Sequence, residues 1–67
     1  MIVTIYDVKL SVFLELVSAG YECQGYREGI QVFNVEQIRS NDTELMLISN
    51  GKSIIIKRKD FGRVSFA

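Results

Sequence analysis

The chain holds 67 residues, 48% of them hydrophobic, with eight basic and eight acidic side chains, no histidine and no proline. That length means one domain, and the apolar share is too high for a disordered tail. Zero net charge excludes steering of the whole molecule toward nucleic acid or an anionic membrane, and no apolar run approaches the ~18 residues of a membrane span.

Cys23 is the only cysteine, so an intrachain disulfide is excluded. Without histidine or a second cysteine there is no ligand set for zinc or an iron–sulfur cluster, and no cofactor is expected. A chain this short buries only about 60% of its unfolded surface, and a core of this size rarely supplies more than about 3–5 kcal/mol. Small proteins usually add a disulfide, a metal or a partner, and only the last remains here. A homo-oligomer is therefore expected, a dimer in the simplest case. The lone thiol fits a reducing compartment, and no basic n-region or small-residue cleavage site opens the chain, so a cytoplasmic location is expected. Charge is uneven: residues 1–34 hold four acids and two bases, residues 35–67 six bases and four acids.

In chain order, Ile2-Val3-Thr4-Ile5-Tyr6 is β-branched and aromatic and predicts a strand. Residues 8–19 predict a helix. Ser11, Glu15 and Ser18 fall on one narrow stripe, and Leu10, Phe13, Leu14 and Val17 lie opposite as the main apolar face. Asp7 is the expected N-cap, and Gly20 suits the left-handed position past the end, with Tyr21 folding back on the last turn. Val12, Leu16 and Ala19 flank the apolar face, so the helix is apolar over most of its circumference and needs cover on more than one side.

Residues 21–26 alternate as a half-buried strand, Arg27-Glu28-Gly29 is a turn, and residues 30–35 form another strand that Ile38 could extend. Residues 40–43, Ser-Asn-Asp-Thr, are a loop. Asn50-Gly51, set between Leu45-Met46-Leu47-Ile48 and Ile54-Ile55-Ile56, is a strong two-residue hairpin signal. The implied register pairs Ser49 with Lys52, Ile48 with Ser53, Leu47 with Ile54, Met46 with Ile55, Leu45 with Ile56 and Glu44 with Lys57. Leu45, Leu47, Ile54 and Ile56 then share one face and Met46, Ile48 and Ile55 the other, so both faces of the hairpin are apolar at the middle. Residues 59–62 are a turn and 63–66 a last strand. The fold class is α+β: one short helix on a small, strongly curved antiparallel sheet of four to six strands, barrel-like in outline.

Chemistry is sparse. Cys23 lacks a base that would activate it, and the five glycines form no phosphate-binding spacing. Lys57, Arg58, Lys59 and Arg63 form the one basic cluster, with Tyr21, Tyr26, Phe33 and Phe61 as aromatics that could stack on bases. Alternation along a strand sends Lys57 and Lys59 one way and Arg58 the other, and lysines at a sheet edge also serve to discourage aggregation.

The segment Gly51–Phe66, GKSIIIKRKDFGRVSF, resembles the strand, tight turn and last strand that close Sm-like and other SH3-like barrels. On that alignment Leu14–Gly25, LELVSAGYECQG, would supply the first two strands. The resemblance implies a nucleic-acid-binding barrel that contacts its ligand through Lys57, Arg58, Lys59 and Arg63. The Asp/Asn-containing RNA-site motif of Sm proteins is absent.

The leading expectation is a non-enzymatic module, a regulator or inhibitor of the size of phage and mobile-element proteins. It would bind a protein partner and itself through Val12, Leu16, Met46, Ile48 and Ile55. The barrel that binds nucleic acid is the alternative. An enzyme assembled across a subunit interface is a third, and the sequence nominates no residue for it.

Overall fold

The β-branched start of the chain forms strand β1, Val3–Tyr6, in which Val3 and Ile5 are fully buried and Thr4 and Tyr6 face outward. The structure is a computed structural model that describes residues 1–26 and 28–67. Among the described residues six more strands follow: β2 (Cys23–Gln24), β3 (Gly29–Val32), β4 (Gln37–Ser40), β5 (Glu44–Ser49), β6 (Lys52–Lys57) and β7 (Arg63–Phe66). Helix α1, Leu10–Ser18, lies between β1 and β2, and a single 3-10 turn, Arg58–Asp60, joins β6 to β7.

The strands form two antiparallel sheets rather than the single sheet expected. One has the order β2-β3-β1-β7 and the other β4-β5-β6. Neither closes on itself, so the molecule is not a barrel. The inner faces share one core: Val3, Ile5, Ile30 and Val32 from the first sheet meet Leu45, Leu47 and Ile56 from the second, with Val12, Leu16 and Tyr21 from the helical segment.

The split between sheets has a local cause. Asn34 takes φ 58°, a left-handed turn after β3, so residues 30–35 cannot run on as one strand. Val35 packs in the core, and Ile38 enters β4 beside Leu47 in the second sheet. The buried Ser49 secures this corner by donating its hydroxyl to the Asn34 carbonyl at 2.8 Å. The strand expected over 21–26 shortens to two residues, and of the expected turn at 27–29, Arg27 lies outside the described residues.

The hairpin forms in the predicted register, from Glu44 opposite Lys57 to Ser49 opposite Lys52. Asn50 and Gly51 both have positive φ, 52° and 80°, as a two-residue loop matched to strand twist requires.

Helix α1 ends as predicted and begins otherwise. Gly20 has φ 84°; its N–H donates to the Val17 carbonyl and that of Tyr21 to Leu16, both at 3.0 Å. These two hydrogen bonds satisfy last-turn carbonyls. At the other end Lys9, not Asp7, occupies the cap position, with no side-chain cap bond. Asp7 is left-handed at φ 55°. Its carboxylate sits beside Gly62, where an added Cβ would come within 2.8 Å of Oδ2.

Candidate protein-docking surface

α1 is held from three directions. Near its start, the Lys9 amide donates to the Asp60 carbonyl at 3.0 Å and the Lys9 ammonium pairs with the Asp60 carboxylate at 3.1 Å. Past its end, Lys52 donates to the Gly20 carbonyl at 2.9 Å. Both contacts tie the helix to β6 and the turn that follows it. On its other flank Phe13 packs against Tyr26, just beyond β2, with ring centroids 5.4 Å apart. The helix thus bridges the β6 edge of one sheet and the β2 side of the other.

This bridging fixes which way the helix faces. Val12 and Leu16 point into the core and are buried. Leu10, Leu14 and Val17 point outward, 51%, 53% and 51% exposed. The expected main apolar face is therefore rotated: of its four residues only Phe13 is substantially covered. Ser11 and Glu15 do not lie opposite the core. They line a side groove with Ile55, Lys57, Lys59 and Asp60. Val12 and Leu16, expected on a partner surface, belong to the core instead, because the helix must fill the gap between the sheets with its largest inward side chains.

Of the hairpin residues expected on that surface, Ile55 is 46% exposed, while Met46 and Ile48 are partly buried. Register places them on the outer face of the second sheet among Gln37, Arg39, Glu44, Ser53 and Lys57. The apolar middle of that face is narrow and ringed by polar and charged groups. The α1 face presents three apolar side chains, each about half exposed, bordered by Ser11, Glu15 and Ser18.

Three of the four basic residues, Lys57, Arg58 and Lys59, line one cleft, and Arg58 shares a neighbouring groove with Arg63, but acidic side chains line both. Arg58 donates to the Phe61 carbonyl at 2.8 Å and lies over the Phe61 ring, 4.7 Å from its centre. Arg63 lies over Tyr6 at 4.1 Å, on the outer face of the first sheet. Lys57 stands opposite Glu44, and the cleft that Lys57, Arg58 and Lys59 line also holds Asp42 and Glu44. Tyr21 and Phe61 are buried and present no ring for stacking; Phe33 is partly buried, and Tyr26 is exposed but packed on Phe13. The strand, tight turn and last strand expected over 51–66 are present as β6, the 3-10 turn and β7. Residues 14–25, aligned with two further barrel strands, are instead helix, turn and the two-residue β2.

Burial raises the pKa of the Cys23 thiol by desolvation, and its Sγ is 3.6 Å from the Tyr21 carbonyl. That favours the thiol, the reverse of what a nucleophile needs. Among the described residues no group of three or more His, Cys, Asp or Glu side chains is arranged to hold a metal ion, and no helix is long and apolar enough to cross a membrane.

The sequence showed a helix apolar nearly all round but not which side the sheets would take. The residues it left out of the partner surface, Leu10, Leu14 and Val17, are the ones the fold exposes. No protein-family model matches the chain, and no curated protein or solved structure matches it at a significant level.

Proposed function

We propose that the chain is a protein-binding module, a regulator or inhibitor acting by association, whose working surface is the outer face of α1. One observation carries this reading. Leu10, Leu14 and Val17, each about half exposed, form an uncharged stripe on a helix that is already fully anchored by its opposite side. Isolated exposed leucines are ordinary, but a contiguous apolar patch marks an interaction site. Anchors spaced four and three residues apart match the way an amphipathic helix docks to a protein surface.

The test is the triple variant Leu10→Ser, Leu14→Ser, Val17→Ser, first shown to melt like the wild type. Proteins retained by each from cells of the native host are then compared by quantitative mass spectrometry. The reading predicts partners held by the wild type and lost by the variant. Identical sets on both would contradict it.

A further inference from the structure

We propose that the groove between β6 and α1 takes an extended segment of a partner protein, which joins the three-stranded sheet as a further strand beside β6. This surface is separate from the outer face of α1, and neither reading depends on the other.

The hairpin ladder decides which backbone groups are on offer. The Arg58 N–H donates to the Thr43 carbonyl at 2.8 Å, in phase with the pairs Ile56–Leu45, Ile54–Leu47 and Lys52–Ser49. In an antiparallel ladder, hydrogen-bonded pairs alternate with non-bonded ones. The even-numbered residues of β6 therefore bond to β5, and the N–H and C=O of Ser53, Ile55 and Lys57 point away from it. Among the described residues these groups have no hydrogen-bond partner. β6 ends its sheet, and at six residues it is longer than the other end strands, β2, β4 and β7. A row of unpaired backbone groups at two-residue spacing is a template for another extended chain.

The helix turns this edge into a slot. α1 runs antiparallel to β6: Lys9 at its start is bonded to Asp60 beyond the end of the strand, and Gly20 past its finish is held by Lys52 at the start of the strand. Lys52 needs its whole side chain to make that bond, so strand and helix stand apart between the two ties. A groove of about 250 Å³ lies there, with Ser11, Val12 and Glu15 on one wall and Ile55, Ile56 and Lys57 on the other. Sites that enclose a small molecule run to about 300–1,000 Å³. This narrower groove suits a chain laid along the edge with alternate side chains turned inward.

Charge chooses the segment. Lys9 and Asp60 neutralise each other at one end of the groove. Lys57 and Lys59 add their ammonium groups at that end, and Glu15, midway along α1, adds a carboxylate. An antiparallel partner, the pairing used throughout this sheet, enters from the Lys57 end. It carries an acidic residue opposite Lys57, an apolar one opposite Ile55 and a hydroxyl one opposite Ser53. Of the residues between, the one opposite Ile56 is apolar and meets Val12, and the one opposite Ile54 is basic and meets Glu15. Such complementarity fixes register and rejects wrong partners.

The experiment titrates an acetylated and amidated peptide, Glu-Val-Ile-Lys-Thr with Gly-Ser at each end, into the isotope-labelled chain and follows amide proton–nitrogen spectra. Saturable shifts are expected over Ser53–Lys57 and Ser11–Glu15, with slowed amide exchange at Ser53, Ile55 and Lys57. The same peptide N-methylated at its isoleucine keeps every side chain, loses the donor that meets the Ile55 carbonyl, and should not bind. With Lys57→Glu and Lys59→Glu together the parent peptide should bind about fivefold more weakly, on the scale of exposed ion pairs. A peptide with lysine in place of its glutamate should regain the affinity, which also shows that the variant is folded. No shift at about 2 mM peptide, twice the ~1 mM dissociation constant of very weak binding, overturns the proposal. So does an N-methylated peptide that binds as well as its parent, or a wild type that binds the acidic and basic peptides alike. The titration should be unchanged in Leu10→Ser, Leu14→Ser, Val17→Ser, and binding that disappears there overturns the groove as the site.

Discussion

The hydroxyl of Tyr21 donates to the carbonyl of Leu47 across 3.0 Å, tying the residue just after the helix to the middle of the second sheet. Gly20 makes this possible by turning the chain back so that Tyr21 enters the core. Lys52 covers the ring from outside, 4.9 Å from its centre, while it holds the Gly20 carbonyl. Removing the hydroxyl leaves a buried acceptor without this donor. Tyr21→Phe should cost about 1–2 kcal/mol in urea unfolding, and an unchanged midpoint would mean the bond contributes nothing.

The same burial predicts an alkaline loss of stability. Desolvation raises the pKa of Tyr21 and of Cys23 above their ordinary values. The unfolded chain therefore releases these protons first, and stability falls as pH rises. The contribution is whole below the unfolded pKa values, about 9 for the thiol and about 10 for the phenol, and disappears as pH passes through the higher folded values. Unfolding free energy should decline from about pH 9 upward, and less steeply in Tyr21→Phe with Cys23→Ser. Equal slopes in wild type and double variant would contradict this.

Leu14 and Leu16 stand two residues apart on one helix and should behave oppositely. Leu16 is fully buried and Leu14 half exposed. Leu16→Ala should cost about 2–4 kcal/mol through lost burial and the cavity left behind. Leu14→Ala should cost less than about 0.5 kcal/mol. Chemical denaturation of the two variants measures the orientation of α1 directly, and the reverse order would refute it.

Gly51 has φ 80°, and a Cβ there would meet nothing within 4 Å. Any penalty for Gly51→Ala is then conformational rather than steric. It should be about 1 kcal/mol, seen as a lower unfolding midpoint with unchanged denaturant slope. A neutral result would argue against the two-residue turn.

Much of the fold is legible in the sequence because its signals are local. Asn50-Gly51 fixed the hairpin register, Gly20 the helix end, and the β-branched residues near Ile2–Tyr6 the first strand. Legibility stopped where long-range packing decided the outcome. Ser11, Glu15 and Ser18 mark a polar stripe, yet that stripe borders a groove beside β6 rather than the side opposite the core, because α1 spans two sheet edges. Asn34 could be read as a strand residue as easily as a turn, and its left-handed backbone sends β4 into a separate sheet. Asp7 looked like a cap, but the close approach of Gly62 holds it elsewhere. The candidate surface was half legible for the same reason: a surplus of apolar side chains was plain, and the face that would carry it depended on the sheets.

The basic side chains give a further expectation. Arg58 lines one cleft with Lys57 and Lys59, but Asp42 and Glu44 line it too, and Arg58 and Arg63 lie over the rings of Phe61 and Tyr6. Single-stranded RNA and DNA should show no mobility shift at low salt and tens of micromolar protein, about the range of ordinary non-specific binding. A shift that salt removes and Lys57→Ala with Lys59→Ala abolishes would contradict that expectation.

The proposed function stands on the outer face of α1 being a protein-docking surface. Amide proton–nitrogen spectra of the labelled chain, recorded with and without extract of the native host, test this most directly. The amides of Leu10–Ser18 and Tyr26 should shift or broaden when extract is added, while those of β4 and the outer hairpin face around Met46 and Ile48 stay fixed. Spectra that do not move, or movement centred on Met46 and Ile48, would contradict it.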